Sequence, residues 1–195
     1  MKLIFIDYKK NQQGNPVFSL KPDTALLRNN QPFFYPDFST DIRATLSLVL
    51  RVNRLGRSIG AQFAARYFDA IGVGMDITAH DLLQQCIANN LPTDCAKSFD
   101  YAAPVSSEFI SVKDFSSIND YSLQLFCNGK EISGNQLPLF STTPEEIIAF
   151  VSQFLTLKIG DYIFINTPLS TVTLNLNDEL TALLNGKEML RVAVK

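Results

Sequence analysis

The chain has 195 residues, 46% of them apolar, with 15 Phe and no Trp, enough to bury a sizeable core and too apolar for a disordered segment. Its formal charge is −2 with no long run of either sign, so neither nucleic acid nor an anionic membrane gains an electrostatic hold. No stretch reaches the roughly 18 apolar residues of a membrane span, and the start MKLIFIDYKKN is charged too early for a secretory signal, so a cytoplasmic protein is expected.

The first element, KLIFIDY, reads as a short strand, broken by the polar loop KKNQQGN. PVFSLKPDTALL is extended and cut by Pro22, and NNQPFFYPDFST is a connector rich in Pro and Asn. Ala44, Leu46, Leu48, Leu50 and Val52 then alternate with Thr45, Ser47, Val49 and Arg51, a strand with one apolar face. In GAQFAARYFDAIG, Phe63, Ala64, Tyr67, Phe68 and Ile71 fall at helical spacing, with Gly72 as the stop. AIGVGMDIT is a glycine-spaced strand, and AHDLLQQCIANN a helix burying Leu82, Leu83, Cys86 and Ile87. LPTDCAKSFDYAAPVSSEFI is mostly loop with a closing strand.

Further on, YSLQLFCNGKEISGN alternates and turns at Asn128-Gly129, a strong hairpin signal. Thr143, Pro144 and Glu146 fit N-cap, N1 and N3 of a helix over TTPEEIIAFVSQFLTL. GDYIFINTP and ALLNGKEMLRVAVK supply late strands, the second turning at Asn185-Gly186. With no repeat or linker, the reading is one α+β domain, β-dominated, with a few helices. Cys86, Cys95 and Cys127 are odd in number and lack metal-ligand spacing, and there is one His, so reduced thiols are expected and zinc is not.

Several segments carry a family likeness. GMDITAHDLLQQCIANNLPTDCAKSFDYAAPVSSEFI resembles the central block of the fumarylacetoacetate hydrolase family, an Asp followed by Thr-Ala-Arg-Asp, a helix ending in Leu-Pro-Trp, and Ala-Lys-Ser-Phe. NGKEISGNQ and FVSQFLTLKIGDYIFINTP resemble its C-terminal half, and PVFSLKPDTALL its Phe-Leu-Lys-Pro segment. Within the family, the chain most resembles the small single-domain acylpyruvate hydrolases and oxaloacetate decarboxylases. The resemblance implies a mixed β-roll or barrel over 1–195, with 1–40 a shortened N-terminal segment and 41–195 the core, and a homodimer or a pairing with a related subunit. It further implies Mg²⁺ or Mn²⁺ held by three acidic side chains, two from a Glu-Xaa-Glu strand. It also implies small 2-oxo or diketo acids as substrates and, in the family, an N-terminal His and Glu that activate water.

Carried over residue by residue, the resemblance makes Asp76 the one metal ligand present. Thr45 and Ser47 fall where the two Glu would stand, still on one face of their strand. Mg²⁺ prefers hard, charged oxygens. At an effective dielectric near 20, a unit pair at 4 Å is worth about 4 kcal/mol, roughly doubled for a divalent ion. Losing two such partners weakens binding by orders of magnitude even after desolvation is discounted. Lys97 matches a lysine facing the substrate carboxylate or enolate, Thr167 the second Thr of Thr-Gly-Thr-Pro, and Lys21 the Phe-Leu-Lys-Pro lysine, so all three are candidate substrate-binding residues. Lys97, Thr167 and His80 are the candidate catalytic residues. His80 stands in place of an Arg, either as a new acid–base group beside Asp76 or as a polar helix-start residue. Leu83 takes the place of a substrate-facing Gln, and DYKKNQQGN holds neither the His nor the Glu.

Two functional expectations follow. In the first, the metal and water-activating groups have been lost, no cofactor is bound, and the protein is a non-catalytic or altered 2-oxo-acid-binding or interaction protein. In the second, it is an active hydrolase, decarboxylase or isomerase of a small 2-oxo acid, with Mg²⁺ or Mn²⁺.

Overall fold

The structure, a computed structural model, describes residues 1–112, 121–133 and 142–195. Two sheets share most of the core. The larger has six strands in the order β2-β1-β10-β4-β5-β7: β1 Leu3–Lys10, β2 Pro16–Lys21, β4 Ile42–Val52, β5 Phe68–Ala79, β7 Ile110–Ser111 and β10 Tyr162–Thr173. β1 runs parallel to β10 and the other neighbours are antiparallel, so the sheet is mixed. The smaller sheet, β12-β11-β8-β9, joins β8 Leu123–Cys127, β9 Lys130–Ser133, β11 Glu179–Leu184 and β12 Lys187–Ala193. A short parallel pair links β3 Leu26–Leu27 to β6 Ala103–Pro104. The fold is β-dominated with few helices, as expected.

The alternation of β4 sorts its side chains. Ile42, Ala44, Leu46, Leu48, Leu50 and Val52 enter the main core with Ile4 and Ile6 of β1 and with Leu125, Leu180 and Leu190 of the smaller sheet. The opposite face carries a smaller cluster, Leu3, Phe5, Val49 and Phe164, and beside it the polar residues of the site. Strand β1 pairs with β10 and β2 lies outside β1, so residues 1–40 contribute two strands to the sheet that carries the site.

Helix α4, Pro144–Phe154, begins in the expected capping box: Glu146 N–H donates to Thr143 Oγ1 at 3.2 Å, and Thr143 N–H to Glu146 Oε2 at 2.9 Å. Both Asn-Gly turns form with positive φ at Asn128, Gly129, Asn185 and Gly186, the mirror-image geometry that matches strand twist. Gly134, Asn135 and Gln136 of the family-like segment lie outside the described residues.

Two local readings need correction. The helix expected across Phe63–Ile71 is only α1, Ala61–Ala64, and Phe68 already opens β5. The helical spacing there coincides with a strand burying Phe68, Ala70 and Ile71, and pairing with β4 decides the outcome. The segment read as loop after Leu91 contains α3, Asp94–Lys97.

Candidate functional site

Register across β1, β10, β4 and β5 gathers the polar residues. Thr45 lies opposite Asp76 and Ser47 opposite Gly74 on β5. On the other side Ser47 pairs with Asn166 and Thr45 with Thr171, across an irregularity in β10. Phe5 pairs with Phe164 on β10 and with Ser19 on β2, so Asp7, two residues on from Phe5, reaches the same face.

A chain of hydrogen bonds closes across these strands. Ser47 Oγ donates to Asn166 Oδ1 at 2.7 Å, and Asn166 Nδ2 donates to Asp76 Oδ2 at 2.8 Å. Thr45 Oγ1 and Thr171 Oγ1 share a hydrogen bond of 2.8 Å. Behind Asp76 lies Lys21, whose side chain is 1% exposed. Its ammonium donates to the carbonyls of Ile77 at 2.7 Å and Ala102 at 2.9 Å, sits 2.7 Å from Asp76 Oδ1, and lies 4.7 Å from the centre of the Phe5 ring. The contact with Asp76 is charge on charge: Oδ1 is buried and accepts no well-aligned hydrogen bond. Burial pushes the Lys21 ammonium below its ordinary value, against the opposing pull of Asp76; the Lys97 charge adds to the lowering.

In front of Asp76 opens a cleft of about 50 Å³, lined by Phe5, Asp7, Ser19, Asp76, Lys97 and Asn166 among others. Lys97 arrives from the end of α3, which Ser98 ties to β2 by donating to the Leu20 carbonyl at 2.9 Å. Asp7 is held from the side by Lys9 N–H at 2.9 Å. A larger hollow of about 540 Å³ lies beside Arg51, but there the guanidinium is forked onto Asp69 at 2.9 and 3.0 Å.

The cleft thus brings Asp76 and Lys97 together, with Lys21 sealed beneath them. Thr167 is elsewhere: 1% exposed, its hydroxyl donates to the Leu46 carbonyl at 2.9 Å and pins β10 to β4. His80 opens α2, His80–Ala88, with Nε2 3.4 Å from Gln84 Nε2. Four residues of nearly extended chain, about 13 Å, separate it from Asp76. Asp81 faces away, as expected. Burial acts to raise its carboxyl, but hydrogen bonds from Ser39, Thr40 and Leu82 outweigh that and hold it at about 2. Asp7 and Ser19 escaped the sequence reading, although the alternation of β1 puts Asp7 on the face of Leu3 and Phe5.

The sequence pattern of the fumarylacetoacetate hydrolase C-terminal family matches residues 6–195. The chain belongs to that family. A mouse protein named mitochondrial oxaloacetate tautomerase FAHD1 is 30% identical over 183 residues, covering 93% of this chain and 82% of its own. A fumarylacetoacetate hydrolase family protein of Yersinia pestis superposes with a TM-score of 0.89 at 28% identity, over 100% of this chain and 92% of its own. The fumarylpyruvate hydrolase of Pseudomonas aeruginosa, solved with Mn²⁺ and pyruvate, has a TM-score of 0.87 at 19% identity, covering 100% and 89%, and so shares the fold.

Family membership raises the question of a divalent ion, and the donor set answers it. Among the described residues no three Asp, Glu, His or Cys side chains converge on one point. The Ser47 and Thr45 hydroxyls are committed to Asn166 and Thr171. The formal charges around the cleft, Asp7 and Asp76 against Lys97 and Lys21, sum to zero. A neutral cleft with hydroxyls already spent does not match the oxygen-rich anionic cage a hard dication requires. These residues do not fit the ion.

Proposed function

We propose that this chain acts on a small 2-oxo acid, moving a proton between carbon and the adjacent carbonyl oxygen, the class of reaction named for its oxaloacetate tautomerase relatives. The observation that carries the reading is the meeting of an ammonium, Lys97, and a carboxylate, Asp7, in one cleft floored by Asp76, Asn166 and Phe5. Keto–enol exchange needs a base at carbon and a positive or hydrogen-bonding group at oxygen. Asp7 takes the proton from C3, the C–H electron pair forms the carbon–carbon double bond, and the carbonyl electrons move to oxygen. Lys97 faces that oxygen, and the proton returned to it completes the enol. The cleft offers about four water-sized positions, room for one carboxylate or carbonyl head, so the rest of the acid lies along the mouth.

The test is oxaloacetate enol–keto conversion followed by ultraviolet absorbance, with and without a chelator. Lys97→Ala and Asp7→Asn should each slow the reaction by at least about 10²-fold, the lower range for a lost acid or base. His80→Ala should leave it within about twofold, a change small beside that range. A chelator that abolishes the wild-type rate would overturn the metal-independent assignment.

A second reading is favoured by the closed network of Ser47, Asn166 and Asp76: a non-catalytic protein that binds a 2-oxo acid or pairs with a related subunit. It predicts saturable heat on titration with pyruvate or oxaloacetate, together with a wild-type conversion rate equal to the buffer's.

A further inference from the structure

Cys86 lies on α2 and Cys95 on α3, nine residues apart, with their Sγ atoms 3.7 Å from one another. Read from sequence they were separate reduced thiols; in the fold they touch. The turn that brings them together is tightly made. Leu91 N–H donates to the Cys86 carbonyl at 2.8 Å, and Asn90 takes φ of 53° to end the helix. Cys86 is buried and Cys95 exposed, so one sulfur is open to solvent while the other waits directly behind it.

We propose that Cys86 and Cys95 are a thiol–disulfide site, closing to an intramolecular cystine when the protein meets a small-molecule disulfide such as oxidised glutathione. A cystine needs its sulfurs at about 2.05 Å, so closure asks the pair to approach by about 1.7 Å across one turn. The exposed Cys95 thiolate attacks the reagent disulfide, forming a mixed disulfide and releasing one thiolate. The Cys86 thiolate then attacks Cys95 Sγ, the protein cystine forms, and the second reagent thiol leaves. Two protein thiols are oxidised, one reagent disulfide is reduced, and the two thiol protons end on the two reagent sulfurs, which leave as thiols. Burial, then the Cys95 neighbour, hold the Cys86 thiol above its ordinary range, so the exposed Cys95 and not Cys86 is the sulfur that meets the reagent first. The third thiol, Cys127, is also raised, by burial and then by Asp178, and has neither role.

The position of the pair gives it a consequence. Lys97 is two residues beyond Cys95 on the same short helix and lines the cleft, so closing the cystine moves the element that carries Lys97. This coupling rests on the proposed function; cross-link formation does not.

The experiment incubates the full chain in reduced and oxidised glutathione, blocks free thiols by alkylation, and reads tryptic masses. Peptide 67–97 has no internal Lys or Arg and holds both cysteines. It should lose a pair of hydrogens, and alkylatable thiols should fall from the three free cysteines to one, Cys127. Dithiothreitol should reverse both changes, and Cys86→Ser or Cys95→Ser should abolish them, while Cys127→Ser should not. A stable mixed disulfide on Cys95, or a covalent dimer through it, would overturn the site. In parallel, oxidation should raise the oxaloacetate KM of wild type and leave that of Cys86→Ser unchanged. A cross-link with no kinetic effect refutes the coupling to Lys97 alone, whereas a reduced protein with no turnover refutes the proposed function and leaves the mass readout to judge the cystine.

Discussion

Lys21 is the residue whose replacement asks most of the site. Its side chain is 1% exposed, and its ammonium serves two backbone carbonyls and Asp76. Lys21→Met keeps an unbranched apolar side chain beside Phe5 but takes the ammonium donor from the Ile77 and Ala102 carbonyls, the second of which keeps the Ile77 N–H at 3.0 Å, and leaves Asp76 without its counter-charge. Breaking a buried pair from one side costs about 3–5 kcal/mol. Asp76 keeps the Asn166 amide and is 13% exposed, so the lower end, about 3 kcal/mol, is expected. For a chain of this size that lowers Tm by about 6–12 °C. Thermal and urea melts of Lys21→Met, Asp76→Asn and the double variant measure the cycle. The double should cost less than the sum of the singles by about 1–3 kcal/mol, because removing both charges leaves neither stranded. The pH dependence has a definite sign. Burial sets the Lys21 ammonium below 10.5 in the folded chain, so just under that pH the unfolded chain binds more protons, and wild type gains stability relative to Lys21→Met as pH rises through the window. A Tm change below ~2 °C, set against the same scale, or a strictly additive cycle, would refute the account of a buried pair holding β2 to β5.

Gly74→Ala should lower Tm, because a Cβ there would stand 2.5 Å from Phe164 Cε1 and 2.7 Å from Val49 Cγ2, and Phe164 is already stacked on Phe5 at 4.3 Å; the overpacking is worth about 1–3 kcal/mol, and an unchanged Tm would show that the ring yields freely. Asp81→Asn should remove part of the acid limb of stability: the Asp81 carboxyl is held at about 2, so its contribution is complete above the ordinary 3.8 and lost as pH falls toward 2, and superimposable acid melts of wild type and variant would contradict this. Thr45→Glu with Ser47→Glu places two carboxylates on the face of Asp76, and Mn²⁺ titration by calorimetry should show binding at least about 100-fold tighter than wild type, since each added anion is worth several kcal/mol before desolvation; equal weak heats from two folded proteins would show that acids at these positions do not complete a metal site with Asp76.

What the sequence revealed depended on the range of the signal. The capping box at Thr143 and Glu146, the Asn128-Gly129 and Asn185-Gly186 turns and the alternation of β4 are written within a few residues, and all were legible. The false helix over Tyr67–Ile71 shows the opposite case, where a local 3.6-residue rhythm loses to pairing with a strand some twenty residues away. The site was legible only in part. Asp76 and Lys97 were marked by the family block, but the partners that give them meaning come from far along the chain: Lys21 from 55 residues before Asp76 and Asn166 from 90 after it. Cys86 and Cys95 are near in sequence, yet their contact depends on the turn between α2 and α3, which the loop-like composition of LPTD concealed.

The arrangement around Asp76 balances much of its own charge from within the fold. Three clustered carboxylates need a cation to offset their repulsion, whereas here Lys21 neutralises Asp76, Asn166 bridges Asp76 to Ser47, and Thr45 is satisfied by Thr171. The strands β10, β4 and β5 are therefore stitched together by side-chain hydrogen bonds, and one internal ion pair ties β2 to β5. That stitching also assigns the remaining chemistry. Groups already spent on one another have little to gain from a ligand, while among the described residues Lys97 has no hydrogen-bonding or ion-pair partner and Asp7 accepts from the Lys9 amide. The free energy available to an entering 2-oxo acid lies with Lys97 first, because among the described residues its ammonium, unlike that of Lys21, makes no ion pair.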